Sequence, residues 1–116
     1  PVLMIGVQTT VETMAQAKEL AEQVVRSRLA ACVQIEPQIT SVYPWEGQVE
    51  QAEEIRLTMK TFKDKLEELT AWLERHHPYE VPEILVQKLK SANPAYRDWA
   101  RDWVEKTEKR LETEEN

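Results

Sequence analysis

Within eight consecutive positions, His76-His77-Pro78-Tyr79-Glu80-Val81-Pro82-Glu83, the chain gathers two imidazoles, a phenol and two carboxylates between two prolines. Imidazole is the commonest protein ligand for borderline metals, and a nearby carboxylate commonly orients it. The same residue types also serve structural ends. One histidine at a helix C-terminus complements the macrodipole, and the other can pack at a subunit seam. Each proline fixes its own φ and drives the preceding residue out of the helical region. A helix arriving from the N-terminal side must therefore stop near His77, and an extended segment must start near Val81. Neighbouring helical residues point about 100° apart, so two adjacent histidines reach one ion only if the helix has ended, as Pro78 requires here.

Other candidates lie further away. Cys32 is the single cysteine, so no intramolecular disulfide framework exists and a reducing, cytoplasmic setting is expected. It follows two alanines at a strand start, a buried position rather than the electropositive, accessible one a thiolate nucleophile needs. The spacing of Cys32, His77 and Glu80 does not argue for a catalytic triad, and a Cys-dependent enzyme remains the lesser alternative. Tyr43, Trp45, Lys60, Tyr79, Glu80 and Glu83 are the residues that would line a pocket between subunits. The competing reading makes the aromatics interface anchors and pairs Lys60 with Glu80 or Glu83 to fix the register of an assembly.

The bulk numbers narrow the class. With 116 residues, the chain is one domain; its net charge is −6, with both signs interspersed. No basic stripe suits nucleic acid, and nothing favours an anionic lipid surface. No apolar run nears the roughly 20 residues of a membrane span, and no signal-peptide pattern opens the chain. Two glycines leave no room for a P-loop or dinucleotide fingerprint.

The positioning elements read as follows. Residues 2–9 are a continuous apolar run, hence a strand buried on both faces, with Gly6 marking a close approach. Thr13 and Gln16 have capping-box spacing. Ala17, Leu20, Ala21, Val24 and Val25 then make a helical stripe ending near Arg28 and Leu29. Residues 31–43 alternate, with Ala31, Val33, Ile35, Pro37 and Ile39 on one face. The phase slips near Thr40, as a bulge would cause, and Pro37 must be unpaired or bulged. Pro44-Trp45-Glu46-Gly47 is a turn, and residues 48–60 return. Arms of about 13 residues span roughly 43 Å, whereas a body of this size is about 30 Å across. The hairpin therefore projects, and its unpaired edges make it an oligomerisation arm. Thr61 or Asp64 opens a second helix that buries Leu66, Leu69, Trp72 and Leu73. Residues 83–89, containing Ile84, Leu85 and Val86, are a fourth strand. Asn93-Pro94 starts a third helix with a stripe of Tyr96, Trp99, Ala100, Trp103, Val104 and Thr107. The single domain runs over 1–111, and 112–116 is a frayed acidic tail.

Strand, helix, strand, strand, helix, strand plus one added helix is an α+β, ferredoxin-like split βαβ order. Right-handed crossovers place the first and third strands centrally.

Leu29-Ala30-Ala31-Cys32, Ser41-Val42-Tyr43-Pro44-Trp45-Glu46-Gly47, Lys60-Thr61 and His77-Pro78-Tyr79-Glu80-Val81-Pro82-Glu83, in this order, resemble the CutA1 family of divalent-cation tolerance proteins. The resemblance covers most of the chain. It implies a ferredoxin-like fold, a tight homotrimer with hairpins paired between subunits, and a link to copper or other divalent cations without an established reaction. A PII-like signalling role, with an unidentified protein partner downstream, follows by analogy. The ligands the resemblance implies for copper are His76, His77 and a cysteine at the end of the first strand. That last position is Thr9 here, and a hydroxyl is a poor substitute for the thiolate that favours Cu(I). The alternative is a purely structural or anchoring trimer.

Overall fold

The structure, a computed structural model, describes residues 1–105. The element order is β1 (Met4–Val11), α1 (Met14–Arg26), β2 (Cys32–Trp45), β3 (Gln48–Phe62), a 3-10 turn at Lys63–Lys65, α2 (Leu66–His76), β4 (Leu85–Leu89) and α3 (Pro94–Glu105). The four strands form one antiparallel sheet in the order β2-β3-β1-β4. This is the split βαβ arrangement, with β1 and β3 central as the crossover rule requires. Past Glu105, the expected limit at 111, the frayed tail, and Thr107 of the third stripe lie outside the described residues.

Alternation along the strands separates two faces. Ile5, Val7 and Val11 of β1 and Ile55, Leu57 and Met59 of β3 form one core with Ala17, Leu20 and Val24 of α1 and Leu69 and Leu73 of α2. On the opposite face, Met4 and Phe62 pack with Ala31 and with Ala100 and Val104 of α3. The third helix thus covers only one end of that second face. Its stripe divides accordingly: Ala100 and Val104 are buried, whereas Trp99 stays 56% exposed. Gly6 sits where a Cβ would meet Leu89 Cδ1 at 3.2 Å, the close approach the sequence indicates.

Local chemistry explains most boundaries. Thr13 caps α1 in a complete capping box with Gln16. The helix closes with Arg28 N–H donating to the Val25 carbonyl and Leu29 N–H to that of Val24. These are the two bonds of a Schellman cap. Arg28 holds the left-handed position at φ 63° that glycine usually takes. Its guanidinium lies over the Trp103 ring at 3.1 Å, whose indole N–H donates to the Val25 carbonyl. Asn93 caps α3 through its side-chain oxygen, which accepts from Ala95 N–H.

The structure departs from the sequence expectation at several element boundaries. The bulge falls between Glu36 and Ile39, not near Thr40. Pro37 has no N–H to offer β3, and Gln38 takes φ 57°, so these two residues sit opposite Ile55 alone. The bulge reverses the facing of the strand beyond it. Ile35 pairs with Leu57 on the core face, but Ile39 pairs with Glu54 on the other. Second, of the two residues expected to open α2, Asp64 lies in the 3-10 turn that leads into it and Thr61 does not. Thr61 stays in β3 opposite Ile5, and the chain enters the helix through the 3-10 turn, with no side-chain cap at Lys65. Third, β4 begins at Leu85, not Glu83, where its pairing with β1 starts opposite Gln8; Leu85 and Val86 are exposed on this edge strand.

The hairpin projects as its length demands, and the long dimension of the molecule is 51 Å. β1 covers β3 only as far as Val11 opposite Ile55. From Glu54 to Gln48, β3 pairs with β2 alone. The turn is shorter than the expected Pro44–Gly47: Pro44 and Trp45 still pair with Val49 and Gln48, and Glu46-Gly47 alone closes the tip with both residues at positive φ, 50° and 78°, as a tight hairpin of native twist requires.

Candidate functional site

α2 ends where proline dictates. His77 is its C-cap, with an extended backbone, and its N–H donates to the Leu73 carbonyl over 2.8 Å. From that point the two imidazoles go to different partners. His76 is exposed; its ring stacks on Trp72 with centroids 4.3 Å apart, and its Nδ1 lies 2.9 Å from the Trp72 carbonyl. A carbonyl only accepts, so Nδ1 carries the proton and Nε2 is left open. This ring borders a shallow cavity of about 230 Å³ with Gln16, Glu19 and Gln23 of α1.

His77 turns inward and is buried. Its Nε2 lies 2.9 Å from Thr9 Oγ1, and its Nδ1 accepts from the Tyr79 N–H over 3.0 Å. Accepting an N–H leaves Nδ1 without a proton, so in the neutral ring Nε2–H donates to Thr9. Burial is the largest influence on this ring and holds its pKa below the ordinary value, against smaller opposing effects of the Thr10 backbone and Glu54.

Tyr79 carries the network onward. Its hydroxyl donates to Glu54 Oε2 over 2.8 Å. Burial, then this bond and the charge of Glu54, push its pKa well up, so it remains a donor at any physiological pH. Glu54 is the residue at which β3 leaves the cover of β1. On the sheet face not covered by α1 and α2, Gln8 donates to Glu83 over 3.3 Å. Arg56 there meets Glu36 through Nε at 3.0 Å and Nη2 at 3.1 Å.

The sequence-derived pocket residues therefore disperse along one chain. Tyr79 pairs with Glu54 and Glu83 with Gln8, while Glu80 is exposed. Lys60 sits in β3 opposite Gly6 and Cys32. Among the described residues it forms no ion pair with Glu80 or Glu83. Tyr43 and Trp45 lie near the hairpin tip, opposite Glu50 and Gln48. Cys32 is a half-buried free thiol, and no hydrogen bond joins it to an imidazole among the described residues. Glu54, which joins the site through Tyr79, escapes sequence reasoning, and Thr9 is singled out there only as the position of the family's cysteine, not as the partner of His77. Glu54 reads as part of a polar run, Glu50-Gln51-Ala52-Glu53-Glu54. The one available signal was a carboxylate at the point where the run meets the apolar alternation.

The family model of the CutA1 divalent ion tolerance protein matches residues 5–103. The chain belongs to the CutA1 divalent-ion tolerance family. Protein CutA of Mus musculus is 42% identical over 89 residues, 77% of this chain but 50% of the mouse protein. The chain thus spans about half the length of that relative, and 58% of the Xenopus laevis homologue. The divalent-cation tolerance protein CutA of Yersinia pestis is 40% identical over 95 residues, 82% of this chain and 80% of that one. Among solved structures, CutA1 from Oryza sativa superposes with a TM-score of 0.87 at 37% identity, covering 91% of this chain and 97% of that one. CutA from Synechococcus elongatus gives 0.86 at 38%, covering 90% and 92%. No helix among the described residues is long and apolar enough to cross a membrane.

The copper ligands that the resemblance implies do not fit a metal centre in this chain. Position 9 offers a hydroxyl already bonded to His77, both nitrogens of His77 are engaged, and His76 faces a different cleft. No group of three or more His, Cys, Asp or Glu side chains able to hold an ion occurs among the described residues.

Proposed function

We propose that the chain works as a homotrimeric, non-enzymatic module of divalent-cation response, in which each projecting arm completes a neighbour's sheet and the clefts so formed receive a small polar effector. The observation that carries this reading is the arm itself. Beyond Glu54 it is two strands with unpaired edges, presenting Val42, Trp45 and Val49 at 59%, 61% and 78% exposure. Exposed apolar residues on a bare ribbon favour pairing with another chain. In such an assembly Tyr43 and Trp45 of one arm would approach Lys60, Tyr79, Glu80 and Glu83 of another subunit. That would gather between chains the residues that lie apart within one.

Membership in the divalent-ion tolerance family supports the cation link. Within the His76–His77 pair, only His76 Nε2 is left open for copper or another divalent ion, as a single exposed ligand. The effector reading, a PII-like sensor with a protein partner downstream, draws on analogy. It is helped by the structure of CutA from Synechococcus elongatus complexed with a Bis-Tris molecule, a protein this chain matches with a TM-score of 0.81. The internal engagement of His77 favours the second reading, a trimer whose assembly is its whole function.

Native mass spectrometry at micromolar concentration tests the proposal, because it reads stoichiometry and any retained small molecule together. A particle of three chains is expected. A stable 13.6 kDa species would overturn it.

A further inference from the structure

Three hydrogen bonds run in series from β1 to the root of the arm. Thr9 Oγ1 meets His77 Nε2 at 2.9 Å, His77 Nδ1 accepts Tyr79 N–H at 3.0 Å, and Tyr79 O–H donates to Glu54 Oε2 at 2.8 Å. We infer that this chain is a brace that seats the hairpin arm, and that His77 is its positioning residue and not a metal ligand.

The argument starts from the ring. A neutral imidazole has one lone pair available to a metal, on the nitrogen that carries no proton. In His77 that nitrogen is Nδ1, and the Tyr79 N–H occupies it. Binding an ion there would orphan a backbone N–H, while binding at Nε2 would require the other tautomer and loss of the Thr9 bond. Either change strands a polar group in a site that is 9% exposed, a costly outcome in a water-poor environment.

What the brace joins gives it a purpose. Thr9 lies on β1 beyond the reach of β4, whose last pairing is Gln8 with Leu85. Tyr79 belongs to the connection held by Pro78 and Pro82. Glu54 is the first residue of the arm outside the cover of β1. A two-stranded ribbon is marginal alone. Its direction is set at its root, and the Tyr79–Glu54 bond is a charge-assisted tie there. The inference concerns one chain and does not depend on the trimer.

The test measures amide hydrogen exchange of the arm in the full chain for Tyr79→Phe, Thr9→Val and Thr9→Ser. Sedimentation is run in parallel, so that a lost assembly is seen apart from a loosened arm. Loss of one charge-assisted bond corresponds to about tenfold. Arm amides between Gln48 and Glu54 should exchange about that much faster in Tyr79→Phe, with β1 amides unchanged. Thr9→Val should loosen the arm in the same direction, and Thr9→Ser, which keeps the hydroxyl, should restore it. Titration with Cu²⁺ should give the same affinity for wild type and His77→Gln, and a weaker one for His76→Gln. Unchanged arm exchange in Tyr79→Phe overturns the brace. Loss of Cu²⁺ binding in His77→Gln with the arm still protected overturns the assignment of His77.

Discussion

The same two strands, β2 and β3, lead different lives at their two ends. At the base, Leu57 and Met59 are fully buried under α1 and α2, and β3 is paired on both edges. Past Glu54, one edge of β3 is bare, the helices are left behind, and Val49 is exposed. The difference shows that strand formation and core formation are separable here. The base is held by burial within its own chain. The arm is held by a ladder, a tight turn and a few polar ties at its root, and its apolar residues are left for another surface.

Breaking the base should have the largest effect. Leu57→Ala is expected to cost about 2–5 kcal/mol of unfolding free energy, as a cavity in a close-packed core does, read by urea denaturation. Val49→Glu should leave the fold of the single chain within about 0.5 kcal/mol, yet weaken self-association at least tenfold in sedimentation equilibrium, about 1.4 kcal/mol in those terms. If the two substitutions had similar effects on the folded monomer, the contrast between base and arm would fail.

Smaller changes sharpen the comparison. Tyr79→Phe should lower stability by about 1 kcal/mol, since the bond to Glu54 is charge-assisted but only partly shielded from water. The same cost in Glu54→Gln, with little more in the double variant, would mark the two as one interaction. Gly47→Ala, which forces a side chain into the φ of 78° at the tip, should cost about 1 kcal/mol. It should act on the turn without touching the base.

The mildest probe is pH. Burial keeps the folded pKa of His77 below its ordinary 6.5, so the unfolded chain takes up a proton there first as pH falls. The stability this ring contributes is complete above about pH 6.5 and is lost as pH drops below it toward the folded value. His77→Gln should remove that slope from a stability–pH curve.

Much of the scaffold was legible in the order of residues. The capping box at Thr13 and Gln16, the Asn93-Pro94 start, the stop at His77 and the length of the arms are local properties, and local sterics and hydrogen bonding decide them. The site was less legible. Pro37 marks itself as unpaired or bulged, as it is, but the alternation of apolar residues places the slip near Thr40. Only the pairing with β3 reveals that Ile39 has changed faces. The two histidines read as a pair because they are adjacent, and a one-dimensional pattern cannot say that one ring would stack on Trp72 while the other reached Thr9. The stripe of α3 reads as one face, core or interface, whereas within the single chain it divides: Ala100 and Val104 are buried and Trp99 is exposed.

By itself, then, the sequence determined the elements, their order, the family, and the fact that one ribbon outruns its body, since these depend on periodicity, caps and length. Tertiary structure alone decided which partners the polar groups of the site would find. Thr9, His77, Tyr79 and Glu54 come from separate stretches of chain, and a hydrogen bond forms only where folding brings donor and acceptor within about 3 Å.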